Sequence, residues 1–148
     1  MLKLTKKTEY ALLALGHLYQ AGQDAAINVR EMADTYRIPF PVLSKVMQHL
    51  AREGYVEPTK GAKGGYRIRE ELAQHDMWQF LEHMEGPLGL VDCITMPDCE
   101  QESACSIRSP LHAINDTIVA VFHRMSLADV FRYPSAAGPV TGASSAPK

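Results

Sequence analysis

The sequence predicts a mainly α-helical fold with one small β-hairpin inserted between its third and fourth helices. Three observations carry this. Apolar residues recur at three- and four-residue spacing over residues 10–18, 43–50 and 111–125. Two short strand-like runs flank the glycine-rich turn Thr59-Lys60-Gly61-Ala62-Lys63-Gly64. Helix start signals stand at Thr5, Asn28, Pro41, Ser109-Pro110 and Ser126.

Taken in order, the first helix is expected over about 5–21. Thr5 is its N-cap, Leu4 a staple residue, and Tyr10, Leu13, Ala14, His17 and Leu18 form one apolar stripe before Gly22. The second starts at Asn28, with Glu31 three residues on as a capping-box partner, and ends near Tyr36. After the tight connection Arg37-Ile38-Pro39-Phe40, Pro41 suits the first turn of a third helix that Gly54 closes. Strands are expected over 55–58 and 65–69, and a fourth helix over about 73–85. Residues 86–108 read as loop. Ser109 then caps a long helix, and Ser126-x-x-Asp129 caps a last short one.

Helix, short turn, helix, then a basic glycine-tipped hairpin is the order of a winged helix-turn-helix. The predicted organisation is a winged helix-turn-helix domain over 1–70, a cysteine loop and dimerisation region over 71–132, and a disordered tail over 133–148. The third helix divides into two faces. Leu43, Val46, Met47 and Leu50 must pack inward. Ser44, Lys45, Gln48, His49 and Arg52 point out, and such short polar, amide and basic side chains suit base edges and phosphates. Lys60 and Lys63 at the wing tip are expected to reach phosphates or a minor groove, and the wing glycines to let the backbone approach DNA. Charge agrees with a double-stranded DNA partner. Residues 1–70 hold 11 Lys+Arg against 7 Asp+Glu, while residues 71–148 hold 4 against 10.

Leu111, Ile114, Ile118, Val121 and Met125 form a heptad-like seam, more apolar surface than a lone helix can hide, so a homodimer is expected. No stretch nears the ~20 apolar residues of a membrane span. The opening seven residues lack a signal-type apolar core. A cytoplasmic location with reduced thiols is therefore expected. No nucleotide-binding glycine fingerprint and no catalytic triad is found, so the chain is not expected to be an enzyme. Taken singly, His17, His49, His75, His83 and His123 read as packing or surface residues.

Cys93, Cys99 and Cys105 are each six residues apart, a spacing that does not keep one helical face. The segment is polar and contains Pro97, so a loop gathering three thiols fits better than three core residues. An odd number of cysteines in a reduced compartment argues against a structural disulfide. A metal centre follows, with zinc and iron–sulfur both open on spacing alone.

Several of these pieces resemble the Rrf-type family of bacterial transcription regulators, the IscR/NsrR/RirA-like proteins. They are Lys3-Leu4-Thr5 with Glu9-Tyr10-Ala11, Gly64-Gly65-Tyr66, Glu85-Gly86-Pro87-Leu88 with Val91-Asp92-Cys93, and the evenly spaced cysteines. The resemblance runs through Ser126-Leu127-Ala128-Asp129. It implies a homodimeric regulator whose [2Fe–2S] or [4Fe–4S] cluster, held by Cys93, Cys99 and Cys105, controls operator binding. The signal would be cluster supply, redox or oxygen, iron, or nitric oxide. IscR-like members carry a histidine where this chain has Arg108, whereas NsrR-like members use a carboxylate matching Glu9. The resemblance therefore implies Glu9 of the partner subunit as fourth ligand, with His112 a weaker candidate. An acidic residue early in a helix is also what the helix dipole favours, and Lys6 is an ordinary ion-pair partner for it. Two other readings remain: a winged-helix regulator whose cysteines bind zinc or react directly as thiols, and an iron–sulfur electron carrier.

Overall fold

Thr5 opens the first helix. Its hydroxyl accepts from Thr8 N at 3.4 Å, and α1 runs Lys6–Ala21 in a computed structural model that describes residues 3–62 and 64–133. Lys63 and the tail from residue 134 lie outside the described residues. Ala11, Ala14, Leu15 and Leu18 bury the inner face of α1. The second helix, α2 (Val29–Tyr36), is capped by Asn28, whose side chain accepts from Arg30 N at 2.7 Å, one residue earlier than the expected reciprocal box would use. Arg37 then turns left-handed at φ 54°, Ile38 N donates back to Ala33 O at 2.9 Å, and the Ile38 side chain is buried beneath the turn. This closes the tight helix–turn–helix. The third helix, α3, spans Phe40–Arg52 with Pro41 in its first turn.

The wing is an antiparallel pair, β1 (Val56–Thr59) and β2 (Gly65–Ile68), with Val56 opposite Ile68 and Thr59 opposite Gly65. It is not free-standing. Ile27 N donates to Tyr66 O and Tyr66 N to Ile27 O, each at 2.9 Å, so a third stretch of backbone joins it just before α2. Gly65 is required by that contact. A Cβ there would stand 2.2 Å from Ile27 O. Close approach to DNA is therefore not needed to account for this glycine.

The fourth helix begins later than expected. Residues 70–74 form a 3-10 turn, and α4 runs Met77–Glu85 from an Asp76 cap that accepts from Gln79 N at 2.8 Å. The segment expected to be loop contains one turn of helix, α5 (Asp92–Thr95), and a 3-10 turn at Glu102–Ala104. The long helix α6 is Arg108–His123, so Ser109 lies inside it and Ile107 takes the cap position. Pro110 is consistent with either start, because proline is tolerated throughout the first turn. The capping box of Ser126 and Asp129 forms as expected and opens α7 (Leu127–Arg132).

One core joins these elements. Both α1 and α2 pack on α3, α4 packs on α1 and α6, and α7 packs on α1 and the first 3-10 turn. Tyr55, Phe80, Leu15, Leu18, Met32 and Met47 are among its fully buried side chains. Glu85, ending α4, reaches across to cap α1: its carboxylate accepts from Thr5 N at 2.9 Å, from Thr5 Oγ1 at 2.8 Å and from the Thr8 hydroxyl. No helix among the described residues is long and apolar enough to cross a membrane.

Candidate nucleic-acid interface and metal centre

The inner face of α3 is as expected: Leu43, Val46, Met47 and Leu50 are all buried. On its outer side Lys45, Gln48 and Arg52 are exposed and Ser44 is half-buried. His49 departs from this set. Its side chain is only 15% exposed, and its Nε2 lies 3.6 Å from Glu53 Oε1. Glu53 also faces His83 of α4, at 3.8 Å, and His83 Nδ1 pairs with the buried Tyr55 hydroxyl at 2.6 Å. Burial pushes the His49 pKa down, nearby Lys7 adds to this, and Glu53 opposes it. His49 thus packs at the end of α3, beside the Glu53 that faces His83 of α4. Lys60 is exposed at the wing tip.

Three residues of α1 on the same surface lie outside the sequence-predicted set. A cleft between α1 and α3 is lined by Lys6, Lys7 and Tyr10 together with Val42, Lys45, Val46, Gln48, His49 and Arg52. The signal for the α1 members was available. Two lysines in a first helical turn oppose the helix dipole, which favours acids there.

The three cysteines come from three different local structures: Cys93 from α5, Cys99 from the loop after it, and Cys105 from the end of the second 3-10 turn. All are free and half-buried. They line one small depression with Pro97, Glu102 and Arg108. The Arg108 guanidinium pairs with Glu102, which holds its pKa above the usual value, and Cys93 and Cys105 add to that effect. Cys93 Sγ lies 3.8 Å from His112 Nε2 of α6. Among the described residues, no three Cys, His, Asp or Glu side chains stand close enough to hold a single metal ion as they are. Glu9 of the same chain is not part of the depression. It pairs with Lys6 at 2.7 Å.

The seam is mixed. Ile114 and Val121 are 49% and 45% exposed, and Leu111 and Ile118 are half-buried. Met125 lies past the end of α6 and packs against the core. Ile118 helps line an apolar cavity with Leu4, Trp78, Leu81, Leu88, Leu90 and Phe122. Asn115, within the seam's span and unremarked in the sequence, is 8% exposed, and its Oδ1 accepts from Leu90 N at 3.1 Å. That bond ties the segment before the cysteines to α6.

Comparison with known proteins agrees with this architecture. The Rrf2 family profile, described as an iron-dependent transcriptional regulator, matches residues 4–133. The chain is 29% identical over 131 residues to the HTH-type transcriptional regulator NsrR of Geobacillus kaustophilus, covering 87% of this chain and 89% of that protein. It is 26% identical over 140 residues to the HTH-type transcriptional repressor NsrR of Streptomyces coelicolor, covering 94% and 93%. Among solved structures, CymR of B. subtilis superposes with a TM-score of 0.72 at 23% identity, covering 91% of this chain and all of that one. T. potens IscR superposes at 0.65 and 22%, covering 88% and 87%. These two likenesses speak for the winged-helix fold. With its helix–turn–helix, its wing and a profile match over nearly its whole described length, the chain belongs to the Rrf2 family of transcriptional regulators.

Proposed function

We propose that this regulator binds operator DNA as a homodimer and that an iron–sulfur cluster on Cys93, Cys99 and Cys105 controls its grip. The observation that carries this is the convergence of three free thiols from separate turns on one depression. Thiolate-rich, solvent-reachable donors of this kind suit iron–sulfur ligation. Glu9 of the partner subunit supplies the fourth ligand in this reading, and Arg108 places a fixed positive charge beside the anionic thiolates. Bound there, the cluster supplies a redox-sensitive link whose change or loss alters how the loop is held. His112 is the alternative fourth donor, because it already stands beside Cys93.

Lys45, Gln48 and Arg52 enter or flank the major groove, with Ser44 at the edge of that surface and Lys60 on the wing; Lys63 joins them on the sequence reading alone. His49 serves the packing of α3. The test is direct. Anaerobically purified protein is expected to be coloured, with visible absorption that Cys99→Ala abolishes while the far-ultraviolet circular dichroism is retained. Colourless wild-type protein from iron-replete cells refutes the cluster. A second reading rests on the thiols themselves. Three free, half-buried cysteines lining one depression are also what a direct thiol sensor uses, with oxidation of the thiols as its signal. Colourless protein whose DNA affinity changes on mild oxidation would support that reading instead.

A further inference from the structure

The cleft between α1 and α3 has a composition that the packing of the fold does not require. Four cations line it, Lys6, Lys7, Lys45 and Arg52, and no carboxylate does. Tyr10, Val42 and Val46 line it as well. Lys7, Lys45 and Arg52 make no ion pair among the described residues. Lys6 and Lys7 stand at the positive end of the α1 dipole, where cations are disfavoured. Lys45 and Arg52 belong to the exposed side of the helix already assigned to the major groove. A cationic wall one helix away from that side faces whatever flanks the groove, and in duplex DNA that is phosphate.

We propose that this cleft seats the sugar–phosphate backbone of the same duplex that α3 enters, with Lys7 as a standing contact and Lys6 as a contact controlled by Glu9. The inference rests on the DNA-binding reading of α3. Control by Glu9 follows from the pair at 2.7 Å: it is an exposed surface pair, with Lys6 75% and Glu9 40% exposed, and while it holds, Glu9 offsets part of the Lys6 charge. A Glu9 drawn away as ligand to the partner's cysteine site leaves Lys6 without its counter-charge, and the cleft gains one positive charge facing DNA. Cluster state thus changes the number of phosphates neutralised without moving the recognition helix.

Each phosphate contact adds about 0.9 to the slope of log K against log salt. One contact is therefore about a 3.5-fold difference in how far affinity falls between roughly 50 and 200 mM salt. The experiment measures this slope by fluorescence anisotropy, with full-length protein and a labelled duplex of about 30 base pairs. Lys45→Gln reports on α3 and is expected to lower the slope by about 0.9. Lys7→Gln is expected to lower it equally, and Lys7→Arg to keep the wild-type slope. In chelator-treated, cluster-free protein, Lys6→Gln is expected to change the slope by well under half a contact. In a Glu9→Gln background it should cost a full one.

A wild-type slope for Lys7→Gln alongside a lowered slope for Lys45→Gln overturns the proposal and leaves the DNA reading standing. Unchanged slopes in both remove the DNA reading and the proposal with it. Equal effects of Lys6→Gln with and without Glu9 overturn the gating by Glu9.

Discussion

Gly65→Ala is the substitution for which the structure gives the firmest magnitude. The added Cβ would lie 2.2 Å from Ile27 O, 2.5 Å from Ile27 C and 2.9 Å from Asn28 N, all of them backbone atoms that no rotamer change can move. Ordinary contact begins at 3.4 Å, so β2 and the Ile27 strand must part by about 1.2 Å (3.4 minus 2.2). The two reciprocal hydrogen bonds between Ile27 and Tyr66 are 2.9 Å long, and the same displacement takes them beyond hydrogen-bonding distance. Their loss costs about 1 kcal/mol each, and the overpacking about 1–3 kcal/mol more. A total of about 3–5 kcal/mol is expected. For a chain of this length that lowers Tm by roughly 10 °C. Urea denaturation followed by circular dichroism, extrapolated linearly, measures it. Gly64→Ala is the matched control. Its Cβ would meet Gly61 O at 3.2 Å and Thr59 O at 3.4 Å, so it should cost no more than about 1 kcal/mol. A loss below about 1 kcal/mol for Gly65→Ala would show that the wing does not depend on this approach.

Glu85→Gln should change how stability responds to acid. Burial works to raise the Glu85 pKa, but the hydrogen bonds from Thr8 and Thr5 outweigh it and hold the pKa below the ordinary 4.5. A lowered folded-state pKa stabilises the fold above about 4.5 and withdraws that support as pH falls through the folded value. Urea midpoints should therefore fall more steeply below that pH in the wild type than in the variant, and parallel profiles contradict this cap. Ile114→Lys, at a 49% exposed position, should cost the isolated fold under about 0.5 kcal/mol yet shift sedimentation from dimer to monomer. Ile118→Lys should also destabilise the subunit itself, since Ile118 lines the cavity with Trp78 and Phe122. A wild-type dimer that Ile114→Lys leaves intact refutes the seam.

Much of this was readable from the residues, and the failures share a cause. Thr5 and the Ser126–Asp129 box were found because a cap is a local hydrogen bond between near neighbours in sequence. The buried face of α3 followed from its period alone. The start of α4 was misplaced because residues 70–74 are helical in a tighter form, while the true cap, Asp76 with Gln79, was overlooked. His49 shows what periodicity cannot see. Its helical position borders the outer face with Glu53 one turn on, and what the local pattern does not encode is the approach of α4, which brings His83 to that Glu53. The convergence of the cysteines was legible from their even spacing. Arg108 beside two of them, and Asn115 bracing the loop, depend on how α6 lies against that loop, which no local pattern encodes.

Under the proposed function, Asn115 and Glu85 give the cysteine loop a short path to the turn of α1 that carries Lys6 and Lys7. The segment from Gly86 to Val91 connects α4 to α5, and its middle is pinned twice. Leu90 N donates to Asn115 on α6, and Leu88, Gly89 and Leu90 line the apolar cavity together with Lys3 and Leu4. Immediately before this segment, Glu85 accepts three hydrogen bonds from the first residues of α1. A loop that tightens around a ligand must therefore either strain the Asn115 bond or pull on Glu85. The second route moves the turn that carries Lys6, Lys7 and Glu9. Asn115→Leu keeps a similar volume but removes the bond from Leu90. It is expected to weaken the coupling between cysteine chemistry and DNA affinity while leaving DNA binding by the cluster-free protein near wild type, a pair of titrations that separates linkage from loss of fold. Unchanged coupling in Asn115→Leu would place the connection in the partner subunit alone.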